Sequence, residues 1–202
     1  MIRDMVMHEP PPSDRAYGDQ IVVLRGASWA DYQRVMEVRG DRAVPRVAFL
    51  EGLLEIMSPS PEHESIKSVL GCLVETYCLE KDIEFRTVGS WTIENKALAR
   101  GVEPDECWVF GPAREASKPD LAIEVVWSSG GIDKLQIYRR LGVREVWYWK
   151  ARRLTPYVLV VDAYEERASS EVLAGIDLGA IASLIDAPTT SAAIRAYRET
   201  LR

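Results

Sequence analysis

Apolar and polar positions change period several times along this chain, and the changes mark out its elements. Between Pro61 and Tyr77 the apolar residues Ile66, Val69, Leu70, Leu73, Val74 and Tyr77 recur at helical spacing and predict one long helix. Pro61 suits its first position, and Glu62 and Glu64 suit the positive end of its dipole. Ser28 reads as the N-cap of a shorter helix over Trp29–Val38, with Asp31 in the first turn. Val44 to Met57 instead alternates about Glu51-Gly52, the mark of a hairpin. Strand-like runs follow at Ile83–Val88, Trp91–Ile93, Glu106–Phe110 and Leu121–Trp127, the last closed by Gly130-Gly131. A short helix over 132–141 ends at Gly142, and Glu145–Trp149 and Tyr157–Val161 are further strands. The tail from Leu178 to Arg202 reads as helical and broken near Pro188, with Thr190 or Ser191 capping its second part.

This order predicts a mixed α/β fold, and the strand, glycine turn, helix and strand across 120–150 read as a parallel crossover. Residues 1–20, with Pro10-Pro11-Pro12 and Gly18, read as a flexible arm. Residues 21–170 then form one domain, with 171–202 a helical extension packed on it. A length of 202 residues, 47% apolar and 28% charged, is that of a single globular domain with a real core. No apolar run approaches the ~20 residues of a membrane span, and the first residues have no signal-peptide core, so a cytoplasmic protein is expected. Cys72, Cys78 and Cys107 form no C-x-x-C pair and read as reduced, mostly buried thiols.

Charge narrows the chemistry. With His8 and His63 the only histidines, a histidine-rich metal site is excluded, and a bound metal would be held by oxygen. A net charge of −6 and a pI near 5.1 count against non-specific nucleic-acid binding. From Lys134 to Arg153, however, Lys134, Arg139, Arg140, Arg144, Lys150, Arg152 and Arg153 are opposed only by Glu145. That stretch is either a locally basic face or a solvated one. No G-x-S-x-G elbow, P-loop or Rossmann fingerprint is present.

Acidic residues inside apolar strands are the candidates for function, because a buried carboxylate is costly unless a cation or hydrogen bond compensates it. Glu124 shares a strand face with Asp120, Ala122 and Val126, while Leu121, Ile123 and Val125 face the other way. It is either a core glutamate with an arginine or backbone partner, or a metal ligand. Asp105 follows Pro104 at the start of a strand and can converge with Glu124 if the two strands pair. Asp120 stands four strand residues before Glu124, roughly 13 Å away, too far to share a magnesium ion with it. Lys134 opens a helix, against the dipole, and so calls for a specific anion: Asp133, Glu124 or a substrate phosphate. Tyr138, one turn on, either joins that cluster or packs. His63 either binds a metal or phosphate or caps its own turn. Glu51, Glu55 and Glu64 are further acids that either reach the site or, on the simpler reading, are surface groups.

Taken together, Ile56-Met57-Ser58-Pro59 with His63, Pro104-Asp105, Pro119-Asp120 through Glu124-Val125, Asp133-Lys134 with Tyr138, and Gly142-Val143 through Trp147 carry a resemblance. From about Ser28 to Val161 the chain resembles a bacterial restriction-endonuclease family, long catalogued as a domain of unknown function, in the PD-(D/E)XK nuclease superfamily. The resemblance implies a restriction-endonuclease-like core, a mixed central β-sheet flanked by helices, acting as a metal-dependent DNA endonuclease with Mg2+ or Mn2+. Asp105 and Glu124 match the paired acids, with the Val125 carbonyl and His63 as further metal ligands and Asp120 and Tyr138 around them. The usual lysine, two residues after the acid, is replaced by Val126, and Lys134 looks like the migrated lysine of some branches. A homodimer follows by analogy with the superfamily. The alternative is a nuclease-fold interaction or regulatory module without catalysis, in which Asp105, Glu124 and Lys134 form a structural ion-pair network.

Overall fold

Local signals set most of the elements. Ser28 and Asp31 close a reciprocal capping box at the head of α1 (Trp29–Arg39), and Ser60 caps α2 (Pro61–Glu80), with Pro61 at its first position. Between these helices lie β2 (Arg46–Leu50) and β3 (Leu53–Ser58), joined at Glu51-Gly52, both of positive φ. The structure, a computed structural model, describes residues 18–89, 91–112, 115–126 and 131–202. Most of the expected arm, together with Trp127 and Gly130, lies outside these residues.

The strands form two sheets among the described residues rather than one central sheet. The first has the order β1-β3-β2-β6-β5, with β1 at Gln20–Arg25, β5 at Ile93–Asn95 and β6 at Arg100–Val102, and all its pairings are antiparallel. The second has the order β11-β10-β9-β8-β7-β4, formed by β4 (Phe85–Thr87), β7 (Glu106–Phe110), β8 (Leu121–Val125), β9 (Glu145–Lys150), β10 (Arg153–Val160) and β11 (Ala163–Glu166). Here β8 and β9 run parallel through α3 (Lys134–Leu141), the crossover expected from the sequence. β1 corrects the reading of residues up to 20 as an arm: it starts at Gln20 as a largely exposed edge strand, whose weak burial leaves little hydrophobic signal. The three-residue β6 and four-residue β11 are likewise too short to show a period.

Alternation along β8 decides where function can sit. Leu121, Ile123 and Val125 pack with Leu70, Leu73 and Val74 of α2 and with Trp147 and Trp149 of β9. The same cluster takes in Ile181 of α4 (Leu178–Ser183) and Ala193 and Tyr197 of α5 (Thr190–Thr200), the latter capped by Thr189. Ala122 faces the other way, into a cluster with Ile137 and Tyr138 of α3 and Ala48, Leu50 and Val102 of the first sheet. Glu124 shares that second face. It therefore points between the two sheets, beneath α3.

Candidate active site

Glu124 is 1% exposed, and each of its oxygens holds one donor from α3. Lys134 Nζ lies 2.6 Å from Oε2, and the Tyr138 hydroxyl donates a short hydrogen bond to Oε1. Both donors come from one helix face, four residues apart. Asp133 does not pair with the lysine; it caps α3, its Oδ1 accepting the Leu135 N–H at 3.2 Å. The lysine at the wrong end of a helix dipole thus has its anion. Burial, and after it the Glu124 charge, pushes the Tyr138 phenol well above its ordinary range, so it stays a donor. Tyr148, opposite Glu124 on β9, is raised for the same two reasons in the same order.

Asp105, fully buried, sits in the bend before β7, where the β7–β8 register brings it alongside Glu124 and Val125. Its Oδ2 accepts the Val125 N–H at 2.6 Å and lies 3.0 Å from His63 Nε2, while Oδ1 is ion-paired with Arg46. His63 has both ring nitrogens engaged: Nδ1 is 2.8 Å from Asp19 Oδ2, and Nε2 is also 3.2 Å from Arg46 Nη1. Its own N–H donates to Ser60 Oγ, so the residue is in a capped turn and in the cluster at once. Arg46 reaches Glu64 as well, at 2.7 Å. Burial raises the Asp19 carboxyl, but hydrogen bonds from His63 and Ser60 outweigh it and hold the group below its usual range.

A cleft of about 170 Å3 opens beside these groups, lined by Asp19, Glu55, Glu124, Val125, Lys134 and Tyr148 among others. Glu55 corrects the sequence reading: it is 4% exposed, on β3, and accepts the Ile132 N–H at 2.7 Å. Asp19 and Arg46 were not singled out by sequence, since no local period marks a polar residue whose partners lie 17 or more residues away. Asp120 stands apart, its Oδ2 accepting the Phe110 N–H at 2.9 Å at the far end of β8. The structure therefore brings Glu124, Lys134 and Tyr138 together, sets Asp105 with His63 next to them, and leaves Asp120 outside. The basic stretch is largely neutralised: Arg139 and Arg140 face Asp162, Arg152 faces Asp186 and Arg153 faces Glu166.

A divalent ion fits the donor set in kind. The buried carboxylates Asp105 and Glu124 face the cations Arg46 and Lys134, with Asp19 beside His63. All the donors are hard oxygens. Among the described residues, however, no three acidic, histidine or cysteine side chains gather around one point, and Arg46 stands against Asp105.

An α/β core of two sheets flanked by helices is a restriction-endonuclease-like architecture. Residues 29–182 match the family model Uma2, described as "Putative restriction endonuclease", and the chain belongs to that family. It is thus a protein of a nuclease family. No curated protein matches the chain. A crystal structure described as "a putative nuclease belonging to DUF820 from Anabaena variabilis ATCC 29413" superposes with a TM-score of 0.50 at 14% identity, covering 80% of this chain and 96% of that one. That likeness shows a shared fold.

Proposed function

We propose that this chain is a magnesium- or manganese-dependent DNA endonuclease. The observation that carries the reading is the 2.6 Å contact from Lys134 Nζ to Glu124, which supplies through space the lysine that the superfamily signature has two residues after the acid. Asp105 and Glu124, with the Val125 carbonyl, are the groups that would hold the ion. When bound, such an ion polarises the phosphate and lowers the pKa of attacking water. Lys134 presents an ammonium at the cleft, where it orients the nucleophile and offsets charge developing on the phosphate. Tyr138 fixes the Glu124 rotamer from behind. His63, held by Asp19, fixes Asp105 in the same manner and is placed to support that carboxylate. DNA is the substrate in this reading, and a homodimer supplies two such clefts.

The test is cleavage of supercoiled plasmid with Mg2+, Mn2+ or excess EDTA, by the native chain and by Glu124→Gln and Lys134→Met. Cleavage that needs the ion and falls at least ~100-fold in both variants, each still folded at the assay temperature, supports the proposal. A native chain that leaves the plasmid intact with either ion overturns it. The ion pair between Arg46 and Asp105 favours a second reading, a non-catalytic module in which these groups are structural. That reading requires no shift in melting temperature on adding either ion.

A further inference from the structure

Glu55 is a buried carboxylate with no ion-pair partner among the described residues, which is an expensive arrangement without a purpose. Its strand explains the direction it takes. On β3, Leu54 and Ile56 face α1, whereas Leu53 packs in the cluster between the sheets, so Glu55 points the same way, towards α3. Its strand neighbours across the pairing are Val23 and Ala48, which offer it no polar group. What meets it is the backbone that leads into α3, through the Ile132 N–H at 2.7 Å.

The residue before that amide is shaped to the same contact. A Cβ on Gly131 would stand 2.5 Å from Glu55 Oε2, and Gly131 has no left-handed φ to account for a glycine. A side chain at this position would have to displace the Glu55 carboxylate from its contact. Asp133 caps α3 immediately afterwards, and Lys134 is the first helical residue. A short path therefore runs from Glu55 through Ile132 and the cap to the ammonium on Glu124.

We propose that Glu55 is a positioning residue: by clamping the Gly131–Ile132 backbone from the first sheet, it holds the start of α3 so that Lys134 Nζ stays on Glu124. The inference rests on the nuclease reading for its kinetic consequence and on geometry alone for its structural one. Glu55 acts as an acceptor, so a glutamine carbonyl can replace it, whereas alanine cannot.

Two measurements on the full chain test this. In plasmid cleavage, Glu55→Ala and Gly131→Ala are expected to lower kcat on the order of 100-fold with KM changed less than about threefold, since misplacement by ~1 Å has that scale. Glu55→Gln is expected to recover kcat to within about fivefold of the native chain. Equal loss in Gln and Ala variants would mean the charge itself acts, and overturns the positioning role; so does a Glu55→Ala variant of native kcat. The second measurement is hydrogen exchange of the 131–138 segment with mass-spectrometric acetylation of Lys134. Both are expected to accelerate at least ~10-fold in Glu55→Ala and Gly131→Ala, and not in Glu55→Gln. Unchanged rates overturn the proposal whether or not the protein cleaves DNA, and a native chain inactive on DNA with accelerated exchange in the variants overturns the nuclease reading only. Should Glu55→Ala fail to fold, Gly131→Ala carries both tests.

Discussion

Arg46 touches Asp105, His63 and Glu64 from the first residue of a strand that is buried throughout. Removing one member of such a buried pair strands the other charge, and the usual loss is about 3–5 kcal/mol. Arg46→Met and Asp105→Leu are each expected to lose stability on that scale in urea unfolding, while the double variant recovers most of it. Additive losses would show that the two groups do not depend on each other. Asp19 gives a pH signature. Its folded pKa is depressed below the ordinary 3.8, so its contribution is present above that value and disappears as pH falls through the lower folded one. Asp19→Asn is therefore expected to be less stable than the native chain at pH 7 and to show a shallower decline on acidification. Parallel stability profiles from pH 7 to about 2 would contradict the linkage.

Helix ends do much of the placing at the level of elements. Ser60 caps α2 through the His63 N–H at 3.1 Å, so one hydroxyl serves both the helix and the orientation of a site residue. Ser60→Ala should cost about 1 kcal/mol in chemical unfolding, the usual value of a lost N-cap. The start of α3 is the more consequential end, because under the nuclease reading Lys134 there stands in for the lysine that the superfamily signature has at the position of Val126, just after β8, which also lines the cleft. Under the nuclease reading, adding Val126→Lys to the inactive Lys134→Met variant should restore part of the cleavage. No recovery in a folded double variant would argue that the helix-borne position is itself required.

The candidate site lies where two sheets and α3 meet, and under the nuclease reading its surroundings bear on how DNA would be held. Since Arg139, Arg140, Arg152 and Arg153 already have carboxylate partners, few counterions should be released on binding. The slope of log affinity against log salt, measured by fluorescence anisotropy between 50 and 200 mM, is expected to be shallow, about −3 or smaller in magnitude. A slope near −6 would mean that these arginines leave their partners for phosphate. Among the described residues no helix is long and apolar enough to cross a membrane.

The chain's own periodicity determined the helices from Trp29 and Pro61, the hairpin turn at Glu51-Gly52, the parallel crossover, and the burial of Glu124 on β8 and of Asp105 at the start of the neighbouring β7. These are short-range consequences of side-chain spacing, caps and glycines, and such features survive without knowledge of the fold. Lys134 was legible too, because a lysine opening a helix demands an anion. Only the tertiary structure decided that the anion is Glu124, that Arg46 and Asp19 close around Asp105 and His63, and that Glu55 turns inward to clamp the approach to α3. Those pairings join residues far apart in sequence, and a polar side chain declares no partner until packing removes water and leaves one donor within reach.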